Sequence, residues 1–162
     1  LQIPSLEIMT ALIADAQLAM LLRKVKKVAV VGISNKPERA SHHVATFMRA
    51  AGIQVFGVNP VLAGKDIEGI KVYGTLAELP EQVDILDIFR NSDAVPSIVD
   101  ELLTLRAAGN GAFAKEKDLC LWLQEGVAHA EAAQAAVDAG VDVVSNKCVL
   151  KEWERLGLPS KI

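Results

Sequence analysis

The chain has 162 residues, of which 51% are hydrophobic and 23% charged, and this composition is typical of one globular domain with a sizeable core. Its 17 basic and 20 acidic residues give a net charge of −3, which excludes a broad nucleic-acid-binding surface, so any anion site has to be local. Two cysteines, Cys120 and Cys148, form neither a disulfide framework nor a metal-binding pattern, and they indicate a reducing, cytoplasmic environment.

The first segment of the chain, residues 1–24, is predicted to be an amphipathic helix that packs on a domain formed by residues 25–162. The helical pattern runs from about Ser5 to Arg23. Its apolar residues are interrupted by Pro4, Glu7 and Asp15. The segment therefore lacks the long uninterrupted apolar core of a signal peptide or a membrane span, and we expect no membrane association.

Five apolar runs, which are predicted to be buried strands, then alternate with helical patterns. The strands are expected at residues 28–31, 54–58, 83–89, 119–123 and 141–144, and the helices at 41–51, 92–108, 129–139 and 149–156. Residues 61–82 contain Gly64, Gly69, Gly74 and Pro80 and are predicted to be mostly loop, with one helical turn near residues 75–79. This alternation predicts an α/β fold, a Rossmann-like three-layer domain with a five-stranded parallel sheet of order 3-2-1-4-5.

The most informative stretch is the first strand with the segment that follows it. A β-branched strand, residues 28–31, runs directly into Gly32, where the chain has to turn, and the next amphipathic helix begins near Ser41. We call residues 32–41 the glycine loop. A strand, a glycine turn and a helix together direct free backbone N–H groups and the positive end of a helix dipole at an anion. Further donors in this loop are Ser34, Asn35, Lys36, Arg39 and Ser41.

Ligands of such sheets bind beyond the carboxyl ends of the strands, at the point where the strand order reverses. With the predicted order, this point lies between the first and the fourth predicted strand. The glycine loop and residues 124–127 are then expected to flank the crevice. Asn59, Pro60, Phe89 and Arg90 would lie along one side of it, and residues 146–148 would close the other.

The residues argue against an ordinary dinucleotide. The fingerprint G-x-G-x-x-G is reduced here to its first glycine in Gly32-Ile33-Ser34-Asn35-Lys36-Pro37, and the second strand ends without the acid that holds ribose hydroxyls. A missing carboxylate suits a ribose that carries a phosphate, because a negative side chain would repel it. Lys36, Arg39 and Lys65 could pair with that phosphate. Coenzyme A (CoA) and NADP both carry such a group.

Several short motifs together resemble the stand-alone CoA-binding domain family, which is related to the CoA-binding domain of the succinyl-CoA synthetase α subunit. They cover residues 25–156. Many members of that family have Asp-Arg-Cys where this chain has Asn146-Lys147-Cys148. The motifs are residues 32–41, 58–60, 83–90, 122–127, 139–140 and 146–148.

This resemblance implies roles for particular residues. The turn of Gly32, Ile33 and Ser34, with Lys36, Arg39 and Ser41, is implied to hold the nucleotide phosphates. Val58, Asn59 and Pro60 are implied to border the adenosine. Phe89, Arg90, Gln124 and Gly126 are implied to line the pantetheine or pyrophosphate path.

Each candidate residue also has a plain structural interpretation. Gly32 serves any strand-to-helix turn, and Lys36 and Arg39 could be solvated surface charges. His42 and His43 point in different directions on a helix, which argues against a two-ligand metal site. Surface positions are expected for them, the alternative being a hydrogen bond from one of them to the ligand. Asp84 and Asp87 are predicted to be hydrogen-bonded structural acids.

The two cysteines are interpreted in the same way. Cys120 is predicted to be a core residue. Cys148 is expected to be a half-buried structural cysteine, the alternative being thiol exchange with CoA.

The favoured hypothesis is a cytoplasmic, non-catalytic module that binds CoA or an acyl-CoA as a carrier, sensor or regulator, because no nucleophile–base pair, metal set or acid–base dyad is recognisable. An NADP-dependent oxidoreductase and a protein-interaction domain without a ligand are the alternatives. A homodimer through the amino-terminal helix or the edge of the last strand is compatible with the sequence.

Overall fold

The computed structural model describes the backbone of residues 6–109 and 111–161, and the side chains of those from residue 15 onward. Within these residues five α-helices and seven strands alternate along the chain. The helices are α1 (Leu6–Lys24), α2 (Ala40–Ala50), α3 (Val95–Ala107), α4 (Ala130–Asp138) and α5 (Val149–Arg155). The strands are β1 (Lys27–Val31), β2 (Gln54–Val58), β3 (Asp66–Ile67), β4 (Ile70–Tyr73), β5 (Ile85–Ile88), β6 (Cys120–Leu123) and β7 (Asp142–Val144).

All five predicted helices are present, and their described ends agree with the prediction to within three residues. The predicted start of α1, Ser5, lies outside the described residues. A short 3₁₀ turn, Ser92–Ala94, precedes α3, and a second one, Leu76–Glu78, occupies the predicted helical turn near residues 75–79. The α/β class and the alternation of strands and helices are therefore confirmed.

The sheet differs from the prediction in strand number and in order. It has seven strands in the order β3-β4-β2-β1-β5-β6-β7, and all neighbours are parallel except the antiparallel pair β3 and β4. The predicted order 3-2-1-4-5 was wrong in placing residues 83–89 at the edge, because β5 pairs directly with β1. The prediction lacked β4, which pairs in parallel with β2. Strand β4 thus takes the place beside β2 that was predicted for residues 83–89.

Strand β4 was missed because residues 61–82 contain several glycines and a proline. The segment nevertheless forms a hairpin in which Ile67, Ile70 and Val72 are buried. Its two-residue turn, Glu68 and Gly69, has positive φ at both positions (49° and 89°), as a tight turn between antiparallel strands demands. Gly69 between apolar residues was the available indication of this hairpin, and Glu68 weakened it because Asn, Asp or Gly is usual at the first position of such a turn.

Two apolar layers cover the faces of the sheet. On one face, Val28 and Val30 pack with side chains of α1, α2 and α5 such as Leu22, Met48 and Trp153. The other face packs against α3 and α4. Its members include Ala29, Val31, Leu86, Leu121, Ile98, Leu102 and Ala136. The helices thus form two outer layers around a central sheet, and strand ends rather than faces are left for a ligand.

Candidate functional site

The turn after β1 is where three strand ends meet. The Gly32 N–H donates to the Val58 carbonyl at 2.9 Å, and the Phe89 N–H donates to the Val31 carbonyl at 2.8 Å. Gly32 has φ of 84°, and a Cβ there would overlap the Phe89 carbonyl oxygen and lie 3.1 Å from Arg90 Cδ. Only glycine fits this backbone, and the close approach fixes the ends of β1, β2 and β5 against one another.

This arrangement corrects the expected position of the crevice. The strand order reverses between β1 and β5, not between residues 28–31 and 119–123. Phe89 and Arg90 therefore stand directly opposite Gly32. Gln124 and Gly126 follow β6, which is one strand further along the sheet.

The glycine loop is folded back onto the first turn of α2. The Ser34 N–H donates to Ser41 Oγ at 3.0 Å, and the Lys36 N–H donates to Ser34 Oγ at 3.1 Å. The Ser41 side chain is buried, and its hydroxyl oxygen holds the loop in place because it accepts the Ser34 N–H. The serines are thus occupied in shaping the loop, while Lys36 and Arg39 are exposed beside it.

The amino end of α2 is open to an anion. Arg39 occupies the N-cap position without a side-chain hydrogen bond to the helix, and the first turn carries no acidic residue. The leading N–H groups of a helix need partners, and together with the helix dipole they attract negative charge. Lys36 and Arg39 add cationic side chains at this end, and Glu38 is the acid in the same loop.

The end of β2 is held by Asn59, whose side-chain amide makes one hydrogen bond as a donor and one as an acceptor. Its Nδ2 donates to the Ile33 carbonyl at 2.9 Å, and its Oδ1 accepts the Val61 N–H at 2.9 Å. No carboxylate stands at this strand end, since Val58 is followed by Asn59 and Pro60. Val58 and Ile33 are buried, so only their backbone atoms are available to a ligand, whereas Pro60 is exposed.

A buried carboxyl group lies in the middle of the sheet near this end. Gln124 Nε2 donates to Asp87 Oδ1 at 2.7 Å, and both side chains are buried. Among the described residues, no group contacts Asp87 Oδ2 as a hydrogen-bond partner. Burial raises the pKa of Asp87 to about 8, and the Gln124 hydrogen bond opposes this only in part. At neutral pH the carboxyl group is therefore mostly protonated.

The expectation of a hydrogen-bonded structural acid is confirmed for Asp87 and for Asp84. Asp84 Oδ2 accepts the backbone N–H groups of Lys26 and Lys27 at 2.8 and 2.9 Å. These bonds anchor the start of β1 at the opposite end of the sheet.

The loop after β6 is tied to the loop after β7. The Gly126 N–H donates to Asn146 Oδ1 at 2.8 Å, and both residues have positive φ. Trp122 Nε1 donates to the Lys147 carbonyl at 2.8 Å. The Asn146 amide oxygen thus fixes the Gly126 loop directly. Cys148 is half-buried next to this loop, as expected, and its thiol is free.

His42 was expected on the surface, and this was wrong. Its side chain is buried, and its two ring nitrogens lie 3.0 Å from the Ser34 carbonyl and 3.0 Å from Glu68 Oε2. The contact with Glu68 depends on the β3–β4 turn, which was predicted to be loop. His43, the neighbouring residue, is exposed.

Two shallow clefts, each of about 580 Å³, lie away from these residues. One lies between α2 and α5 beside Phe47 and Trp153. The other is lined by Arg23, Lys24 and Lys161 near the last turn of α1. Basic side chains at a helix carboxyl end balance the helix dipole, and Lys161 Nζ donates to the Arg23 carbonyl. We assign this cluster to helix capping.

The described residues bring together no group of three or more His, Cys, Asp or Glu side chains that could hold a metal ion. None of the described helices is both long enough and apolar enough to span a bilayer.

Comparison with protein families decides what kind of domain carries this arrangement. Residues 26–154 match the model of a family described as CoA binding domain. The chain belongs to this CoA-binding domain family. The match runs from β1 into α5 and includes the glycine loop and the ends of β2, β5 and β6.

Proteins of similar sequence are known from several organisms. Uncharacterized protein YneT of Bacillus subtilis (strain 168) is 31% identical over 136 residues, which are 84% of this chain and 91% of YneT. A Thermus thermophilus structure described as cell-free ID.343 is 34% identical, with a TM-score of 0.77, over 88% of this chain and 98% of that one. A hypothetical protein from Pyrococcus horikoshii OT3 is 29% identical, with a TM-score of 0.75, over 88% of this chain and 91% of that one.

Proposed function

We propose that this protein binds coenzyme A or an acyl-CoA at the carboxyl end of its sheet, as a non-catalytic carrier, sensor or regulator. The observation that carries the proposal is the uncapped amino end of α2. It follows the Gly32 turn inside the segment that matches the CoA-binding family. A helix end with free N–H groups and two cationic side chains is suited to a phosphorylated ligand.

The proposed pose places the nucleotide phosphates on the glycine loop, beside Lys36 and Arg39. The adenosine then borders the end of β2, at Asn59 and Pro60. Phe89 and Arg90 lie directly against Gly32, and the proposed pantetheine path runs from them toward β6. The site residues proposed are Gly32, Ile33, Ser34, Lys36, Arg39, Ser41, Val58, Asn59, Pro60, Phe89, Arg90, Gln124 and Gly126.

Two features of the wider molecule belong to the same proposal. Cys120 and Cys148 are free thiols, and a reducing cytoplasmic location suits them. Strand β7 stands at one edge of the sheet, where it could pair with a second copy of the chain in a homodimer.

Native mass spectrometry of protein purified without added ligand, followed by calorimetric titration, tests the ligand class. We expect a CoA-sized adduct and tighter binding of CoA than of dephospho-CoA, because the cations of the glycine loop favour a phosphorylated ribose. We also expect tighter binding of CoA than of NADP, which carries such a ribose but lacks the pantetheine arm. Equal affinity for CoA and dephospho-CoA would contradict the role given to Lys36 and Arg39. Preferential binding of NADP would favour the oxidoreductase alternative, and the absence of any nucleotide would favour a protein-interaction domain.

The variant Arg39→Ala tests the phosphate contact itself. A hydrogen bond between charged groups contributes about 1.5–3 kcal/mol, so we expect the Kd for CoA to rise by about ten-fold or more. Arg23→Ala is the matched control, because it removes the same charge at the opposite end of the sheet. Equal effects of the two variants would mean that only the overall charge matters.

A further inference from the structure

Two buried polar side chains, those of Asp87 and Gln124, lie in an otherwise apolar layer on the sheet. Asp87 is the register partner of Val30 on β1 and of Trp122 on β6, and both neighbours are fully buried. Asp87 itself is 0% exposed, and Gln124 Nε2 donates to its Oδ1 at 2.7 Å. Its second oxygen, Oδ2, is one of the fully buried atoms of the described residues that have no hydrogen-bond partner.

This arrangement is unfavourable for the fold, and packing does not account for it. Removal of a carboxyl group from water is costly unless its oxygens find partners, and this desolvation also raises the pKa of Asp87. An apolar side chain at this position would continue the layer of Val30 and Trp122 without that cost. A polar group that is kept under such conditions is a candidate for a functional role.

The contact with Asp87 fixes the side chain of Gln124 and not the backbone around it. The Gln124 N–H donates to the Ile88 carbonyl at 3.3 Å, and the Gln124 carbonyl accepts the Val127 N–H at 2.8 Å. For the side-chain amide, the described residues provide the hydrogen bond to Asp87 and no other. Asp87 Oδ1 can accept the Nε2 proton whether the carboxyl group is ionised or carries its proton on Oδ2, so it decides which end of the amide faces inward.

The oxygen end of the same amide is left for a ligand. No described residue donates to Gln124 Oε1. This oxygen is nevertheless not among the fully buried atoms without a partner, so the 3% of Gln124 that is exposed includes it. Gln124 directly follows β6 and lies beside the end of β5, where the pantetheine path is proposed. A free acceptor there suits an amide N–H, a group that the pantetheine arm carries.

We infer that Asp87 is a positioning residue, which holds the Gln124 amide so that its oxygen accepts a hydrogen bond from an amide N–H of the pantetheine arm. This inference rests on the proposed binding of CoA. It assigns recognition of the pantetheine arm to Gln124 Oε1, separately from recognition of the phosphates by the glycine loop. Asp87 does not contact the ligand and acts through Gln124.

Two substitutions of Asp87 separate positioning from packing. Asp87→Asn keeps an oxygen that accepts the Gln124 Nε2 proton, and it has the shape of the neutral carboxyl group. Asp87→Leu has a similar size and suits the apolar layer, but it accepts no hydrogen bond. Gln124→Met removes the amide itself, so the double variant D87L/Q124M shows whether Asp87 acts through Gln124.

Calorimetry gives the Kd of each protein for CoA and for adenosine 3′,5′-bisphosphate, which lacks the pantetheine arm. Loss of one hydrogen bond raises a Kd by about two- to ten-fold, and we expect this rise for CoA in D87L and in Q124M. D87N should bind CoA like the wild type, and D87L/Q124M should bind it no more weakly than Q124M. The Kd for adenosine 3′,5′-bisphosphate should stay at the wild-type value in all four variants.

Several results would contradict the role of Asp87. An equal loss of affinity for both ligands in D87L would overturn the inference, because it would show a general disturbance of the site. Wild-type affinity of D87L for CoA, the same loss in D87N as in D87L, or a further loss in D87L/Q124M beyond that in Q124M would also overturn it. Absence of CoA binding by the wild type would overturn the proposed function as well, so the two failures are distinguishable.

A second measurement needs no variant. The ¹³C resonance of the Gln124 side-chain carbonyl moves downfield when its oxygen accepts a hydrogen bond. We expect this shift in the wild type on addition of CoA and not on addition of adenosine 3′,5′-bisphosphate. An unchanged resonance in the CoA complex would overturn the inference even if D87L does not fold.

Discussion

At the scale of single residues, the site depends on positions where only one residue type fits. Gly32 combines positive φ with the carbonyl of Phe89 at the place where a Cβ would lie. Gly140 has nearly the same φ, 83°, but nothing within 4 Å of its own Cβ position. Substitutions at these two glycines therefore distinguish the free-energy cost of a left-handed backbone from the cost of steric overlap at the Cβ position.

We predict that Gly32→Ala is much more destabilising than Gly140→Ala. The left-handed conformation costs a non-glycine residue about 1–2 kcal/mol, and that is the whole expected loss at Gly140. At Gly32, relief of the overlap also has to displace the end of β5, so the loss is larger and the Kd for CoA rises. Urea unfolding of both variants measures this, and equal losses would contradict the described turn.

Asp87 is a second residue whose burial has a measurable consequence. Burial raises its pKa from 3.8 to about 8, so the folded protein holds this proton more tightly than the unfolded chain. The part of the free energy of unfolding that is linked to this proton is fully present below about pH 4. It falls as the pH rises and is lost once the pH passes 8.

We predict that Asp87→Asn flattens the fall in stability between pH 4 and pH 8. One titrating group changes the free energy of unfolding by at most about 1.4 kcal/mol per pH unit. The variant should be close to wild type near pH 4 and more stable than wild type above pH 8, as measured by urea unfolding across this range. Asp100→Asn, on the exposed face of α3, is the control and should keep the wild-type slope.

At the scale of elements, periodicity located the five described helices, and a side-chain cap marks the start of α4. His129 occupies this N-cap, and its Nδ1 accepts the Ala132 N–H at 3.2 Å. The β3–β4 hairpin is the element that the sequence left out, since short strands between glycines resemble a loop.

We predict that His129→Ala lowers stability by about 1 kcal/mol, because it removes the cap of α4. His129→Asn should retain most of the stability, since asparagine is a good N-cap residue. Thermal unfolding distinguishes the two variants. A loss of similar size in both would mean that the imidazole acts by packing rather than by capping.

At the scale of the whole molecule, α1 belongs to the apolar layer formed with α2 and α5. Leu22 is fully buried in this layer, whereas Met20 on the same helix is 52% exposed. Arg155 of α5 also donates to Asp15 of α1 at 3.0 and 2.8 Å. Residues 15–24 of α1, whose side chains are described, therefore pack as part of the domain.

We predict that Leu22→Ala costs about 2–5 kcal/mol, as for other buried leucines, while Met20→Ala stays within about 0.5 kcal/mol of wild type. If α1 unfolds together with the rest, the L22A protein still shows a single transition by circular dichroism and by tryptophan fluorescence. Two separate transitions would mean that residues 1–24 form an independent unit.

Three features could be read from the sequence because neighbouring residues determine them. These are the alternation of strands and helices, the glycine turn into α2, and the absence of an acid after β2. The family match to residues 26–154 agrees with the resemblance that these motifs indicated. Composition and spacing report such local properties well, since backbone conformation and periodicity act over a few residues.

Only the tertiary structure decided the strand order and the partners of the buried polar groups. Asp87 meets Gln124 across 37 residues of sequence, and His42 meets Glu68 across 26. Such contacts depend on which strands are neighbours, and that order changed once β4 entered the sheet between β2 and β3. Local patterns contain no information about pairing over these separations, so the polar contacts that shape the site emerged only from the folded chain.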